Sequence, residues 1–174
     1  AAEQLFASLH GILRDKKEMT IEKYATSKGF PVIYLGQAGG ARMPDIMGAR
    51  GLCTMGLEMN CFARGRRTPM MAAVMGDCFG MPTWMAMLAD FVAMVKGSCM
   101  AVSGPRVLEL AISEKVDQEE LGGWRVHEQI TGMADIVVNT EQECFHTIRK
   151  FLSYMPSHNM ELPPVMPVPP GSGA

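Results

Sequence analysis

An α/β fold is what this sequence predicts, from two buried strands, two glycine turns and a return of helical spacing after each turn. Residues 30–35 form a short β-rich run that ends in Gln37-Ala38-Gly39-Gly40-Ala41-Arg42-Met43-Pro44. Residues 69–75 form a second such run, closed by Gly76-Asp77-Cys78-Phe79-Gly80-Met81-Pro82 ahead of an apolar helical stretch at 84–88. At 174 residues and 48% hydrophobic content, the chain is long enough to bury a core as one domain.

The remaining elements follow from local pattern. Leu5, Leu9, Ile12 and Leu13 sit at helical spacing and predict one or two helices over 2–28, stopped by Gly29. Residues 44–65 return to a helical pattern whose apolar stripe is Met47, Leu52, Met55, Met59 and Phe62, interrupted by glycines. Arg64, Arg66 and Arg67 read as a solvated basic loop. Strands are predicted at 91–96 and 99–102, broken by Gly97-Ser98, and again at 134–138. Short helices are predicted at 107–112 and 126–131, with Glu119-Glu120 in a turn between them. Thr140 followed by Glu143 is a capping-box pattern and opens a helix to about residue 154. Residues 156–174 are rich in proline and glycine and predict an extended linker or tail, leaving 1–155 as the domain.

Composition narrows the class. A net charge of -2 argues against a nucleic-acid partner. No apolar run is long enough for a membrane span, and the first residues lack a signal-peptide layout, so neither a membrane nor a secreted destination is expected. The 5 cysteines have no CxxC or Cys/His metal spacing and predict reduced, mostly buried thiols and no metal. The 17 methionines, against an aromatic content of 7%, predict an unusual amount of methionine core packing.

Catalytic side chains are sparse. His10, His127, His146 and His158 sit in unrelated contexts, and no P-loop, GxGxxG or GxSxG pattern occurs. A glycine turn that feeds a helix presents backbone N–H groups to an anion or a developing oxyanion. The same glycines also suit plain tight turns. If the chain is an enzyme, its chemistry falls to backbone amides and a cofactor.

The series AGGAR, MGDCFG, DFVAMVKGSCMAVSGPRV, EELGGWRVHEQITGMAD and FLSYMP, running in this order through most of residues 28–156, resembles the carboxyltransferase subunits of biotin-dependent acyl-CoA carboxylases. The resemblance implies a crotonase-like (ClpP/crotonase) spiral of β-β-α units, here part of the N-terminal half of such a subunit. It implies acyl-CoA as substrate and biotin on a separate carrier protein. Partners implied with it are a biotin carboxyl carrier, a biotin carboxylase and a second carboxyltransferase half. Assembly as a trimer or hexamer and a cytoplasmic location, or the mitochondrial matrix in a eukaryote, come from the same source.

Residue by residue, the resemblance makes Gly39 and Gly40 backbone donors to the thioester enolate, with Gly80 as a further donor. It lines the substrate site with Ala38, Ala41, Arg42, Met43, Gly76, Cys78, Phe79 and Met81. Three departures stand out. Ala38 replaces the usual serine, Pro82 removes an N–H from the second turn, and Asp77 adds a negative charge near it. A biotin-independent hydratase or hydrolase, an acyl-CoA decarboxylase α-subunit and a non-catalytic scaffold stay open as alternatives. Gly122, Gly123 and His127 belong to the signature block and suit packing or a subunit interface as well as substrate contact.

Overall fold

The computed structural model describes residues 12–41, 44, 47, 67–165 and 167. Helix α1 (Ile12–Lys28) precedes β1 (Val32–Ala38). Then come β2 (Met70–Phe79), α2 (Met81–Met87), β3 (Phe91–Val95) and β4 (Cys99–Ala101). Three short helices, α3 (Pro105–Ile112), α4 (Gln118–Gly122) and α5 (Trp124–Gln129), lead to β5 (Ile136–Val138) and α6 (Glu141–Leu152). The predicted helix over 44–65 and its stripe lie outside the described residues, Pro44 and Met47 excepted.

All strand pairings among the described residues are parallel, and β2 is their hub. One side of β2 carries β1; the other carries β3 along Met71 to Val74 and β4 along Asp77 to Phe79. Strand β5 extends the sheet beyond β3. Along β1, Gly36 pairs with Val74 and Ala38 with Cys78, so the single residue Gln37 faces three residues of β2. The surplus is taken up as a bulge at 75–77, which bends β2 just before its end.

Alternation across the sheet builds two apolar layers. Met70, Ala72, Val74 and Cys78 join Val32, Tyr34, Val92, Met94 and the α2 residues Met85 and Ala86 on one face. Met71 and Ala73 join Ala93, Val95 and Val138 under Cys144 and Ile148 of α6 on the other. Phe151 of α6 stacks on Phe91 with ring centroids 4.2 Å apart. Methionine fills the centre as expected: Met70, Met71 and Met94 are fully buried.

Several boundaries differ from expectation. Strand β2 continues through Gly76-Asp77 to Phe79, because the bulge absorbs those residues and β4 supplies hydrogen-bonding partners. Glu119 and Glu120 lie in helix α4, where the Asp117 side chain accepts the Glu120 N–H at 3.0 Å. Residues 157–161 form a compact turn in place of an extended start to the tail. Within it the Asn159 N–H donates to the Gly29 carbonyl at 2.8 Å, and the Ser157 N–H donates to Glu161 Oε2 at 3.2 Å.

Candidate active site

The two glycine turns leave the sheet side by side. Ala38 pairs with Cys78, and adjacent strands run about 4.8 Å apart. The residues that follow, Gly39-Gly40 and Phe79-Gly80, therefore emerge as neighbours at the carboxyl edge of the parallel sheet. Open parallel sheets present ligand sites at that edge.

Gly40 has φ of 125° and Gly80 has φ of 77°, backbone conformations that strain any other residue. No described heavy atom lies within 4 Å of the place a Cβ would take on Gly40. Gly39 is exposed, Gly40 and Ala41 are half-buried, and Ala38 is fully buried beneath them. The first turn thus offers bare backbone to an approaching ligand. Arg42 and Met43 lie outside the described residues.

The second turn is bound into the protein. Gly80 caps α2, and its N–H donates to the Ala101 carbonyl at 3.3 Å. Its own carbonyl accepts the N–H groups of Thr83 and Trp84 at 3.0 and 3.2 Å. In this conformation the Gly80 amide is engaged by the fold, which differs from the open donor expected of it. The Cys78 side chain is fully buried in the core beside Gly36 and supports the turn from below. Phe79 is buried against Gly104, Met81 packs on the core, and Gly76 lies against the Gln37 side chain. Asp77 is exposed and accepts a hydrogen bond from Gln118 Nε2 of α4 at 2.5 Å, which gives its carboxylate a structural partner.

Thr83, which sequence reasoning passed over, is central to this arrangement. Its hydroxyl is buried and lies 2.6 Å from the Cys78 carbonyl and 2.7 Å from that of Ala101. Only its place just after the turn, behind Pro82, could have drawn notice to it. The signature block packs against the same strand. A Cβ on Gly122 would sit 2.2 Å from the Met100 carbonyl oxygen, and His127 Nε2 donates to that oxygen at 2.7 Å. His127 Nδ1 lies 3.0 Å from the Thr131 hydroxyl, within hydrogen-bond distance. Lys96 Nζ lies 5.5 Å from the Trp124 ring centroid and the Arg125 guanidinium 4.4 Å from it.

No cysteine is poised as a nucleophile among the described residues. Burial, helped by Asp77 and Glu119, pushes the Cys99 thiol up to about 12, and burial with Glu141 pushes Cys144 up to about 11. His146 is exposed, and His158 lies 3.0 Å from Glu161 in the turn after α6. No group of described side chains could hold a metal ion, and no helix among the described residues is long and apolar enough to cross a membrane.

The carboxyl transferase domain family matches residues 10–172. Methylmalonyl-CoA decarboxylase subunit alpha of Veillonella parvula is 31% identical over 157 residues, covering 90% of this chain and 31% of that protein. A propionyl-CoA carboxylase beta chain of Roseobacter denitrificans is 34% identical over 155 residues, covering 87% of this chain and 30% of that one. The crystal structure of the transcarboxylase 12S hexamer with methylmalonyl-coenzyme A and methylmalonic acid bound is similar at a TM-score of 0.74. It shares 27% identity, over 88% of this chain and 30% of that chain. The parallel sheet and its crossovers are thus a carboxyltransferase crotonase-like fold, and the chain spans about a third of the relatives' length. Motif order, the paired turns and the matched span lead to one conclusion: the chain belongs to the carboxyl transferase domain family.

Proposed function

We propose that this chain supplies the acyl-CoA side of a biotin-dependent carboxyltransferase, holding the thioester enolate on the backbone N–H groups of Gly39 and Gly40. The observation that carries the reading is the open backbone at Gly40, placed by the Ala38–Cys78 register beside the second turn. A thioester oxygen needs close approach to peptide N–H groups, which a side chain at this position would hinder.

Breaking the α-C–H bond sends its electron pair toward the thioester oxygen, and the enolate carbon then forms a C–C bond to CO2. The first turn's amides stabilise the negative charge on that oxygen by hydrogen bonds aimed at it. Biotin on a separate carrier would supply the carboxyl group and, once CO2 has left it, a ureido nitrogen able to take the α-proton. The chain's part is to bind, orient and stabilise, which suits the absence of a histidine from the described residues of the turns and the engagement of the Asp77 carboxylate by Gln118. Gly80 can join as a donor only by giving up the Ala101 carbonyl.

The relatives' names include both carboxylases and a decarboxylase, and the same oxyanion contacts serve either direction. In the intact protein with its biotin carrier, Gly40→Val is expected to lower kcat/KM for acyl-CoA by about 100-fold, the scale of a lost oxyanion donor. Far-ultraviolet circular dichroism should stay unchanged. Wild-type turnover in either direction with biotin carrier present supports the reading. Turnover without any biotin protein favours the hydratase or hydrolase alternative. Full activity in Gly40→Val removes the first turn from the mechanism.

A further inference from the structure

We propose that Thr83 and His127 are positioning residues that use strand β4 as a strut to set both glycine turns. The inference rests on the carboxyltransferase reading for its catalytic consequence, but its structural part stands on hydrogen bonds alone. Consecutive carbonyls of β4 are held from opposite sides. Met100 O accepts from His127 Nε2 at 2.7 Å, and Ala101 O accepts both the Gly80 N–H at 3.3 Å and the Thr83 hydroxyl at 2.7 Å.

Thr83 reaches the first turn as well. Its single hydroxyl proton is shared between Ala101 O and Cys78 O, the latter at 2.6 Å, and Cys78 is the residue that registers with Ala38. One buried hydroxyl therefore ties together the ends of β2 and β4, from which Gly80 and, across the ladder, Gly39-Gly40 depart. Gly122 brings α4 into backbone contact with the Met100 carbonyl, so the strand has little freedom to shift away from His127. Displacing a reacting group by about 1 Å can cost on the order of 100-fold in rate. A strut at this place controls such a displacement.

Four variants of the intact protein test the proposal: Thr83→Val and His127→Leu, which remove the donors, and Thr83→Ser and His127→Gln, which retain them. The first readout is hydrogen exchange of the Gly80 amide, which needs no substrate. Exchange is expected to quicken about tenfold or more in Thr83→Val and His127→Leu and to return near wild type in the conservative pair. The second is turnover: kcat should fall roughly 10- to 100-fold in the donor-less pair with KM for acyl-CoA within about threefold, and recover in the conservative pair.

Rescue by glutamine, which cannot relay a proton, separates positioning from base catalysis. Unaltered Gly80 exchange in both Thr83→Val and His127→Leu would overturn the strut, whatever the activity. Faster exchange with unchanged kcat would overturn its catalytic role. A wild-type protein with protected Gly80 but no acyl-CoA turnover would count against the carboxyltransferase reading while exchange still judges the strut. Should either donor-less variant fail to fold, the other and its conservative partner decide the outcome.

Discussion

Gly122 shows what single residues do in this chain: its missing side chain lets a helix end touch the backbone of β4. The sequence marks Gly122, Gly123 and His127 as a signature, yet leaves packing, a subunit interface and substrate contact open. Gly122 and His127 both meet the Met100 carbonyl, a main-chain group that no side-chain pattern encodes. Thr83 was illegible for the same reason, since both its acceptors are main-chain oxygens. Of the thiols, Cys78, Cys99 and Cys144 are free and buried, whereas Cys53 and Cys61 lie outside the described residues. Cys99, raised from 9.0 to about 12, favours its neutral form in the folded state more than in the unfolded one. That contribution is complete below pH 9 and is lost as pH rises toward 12. Denaturant midpoints measured upward from pH 9 should fall, and Cys99→Ala should fall less steeply; equal slopes would show that Cys99 is not a source of the loss.

At the scale of elements, recognition tracked the strength of local chemistry. Helix α6 was read from Thr140 and Glu143, and the Thr140 hydroxyl indeed accepts the Glu143 N–H at 3.2 Å. Glu143 reaches one residue further back than the motif implies, taking the Asn139 N–H at 2.8 Å. Thr140→Ala should cost about 1 kcal/mol of stability by equilibrium denaturation, the usual worth of an N-cap side chain. A change below the error of the midpoint would mean that packing of Cys144 and Ile148 alone fixes the helix start. Helix α4 was missed because a stretch as short as Gln118–Gly122, ending in glycine, has too few turns to show a helical period. Strand β2 was cut short for a related reason. Gly76-Asp77 carries the composition of a turn, and only its neighbours on both sides turn those residues into a bulge.

Across the described residues, parallel pairing of β1 with β2 puts two separately encoded turns at one edge of one sheet. Their juxtaposition depends on the register of Ala38 with Cys78, a pair forty residues apart in the chain, so sequence spacing could not reveal it. Large apolar side chains remain outside the two layers, among them Leu110 of α3 at 85% exposure and Leu35 of β1 at 47%. The chain spans about 30% of relatives such as the propionyl-CoA carboxylase beta chain. The most direct test of the oxyanion reading is a crystal structure of the protein with a non-hydrolysable acyl-CoA thioether-ketone analogue. The account predicts its carbonyl oxygen about 3 Å from the backbone nitrogens of Gly39 and Gly40, hydrogen-bond distance for N–H···O. An acyl-CoA bound with that oxygen remote from both glycine turns would contradict it.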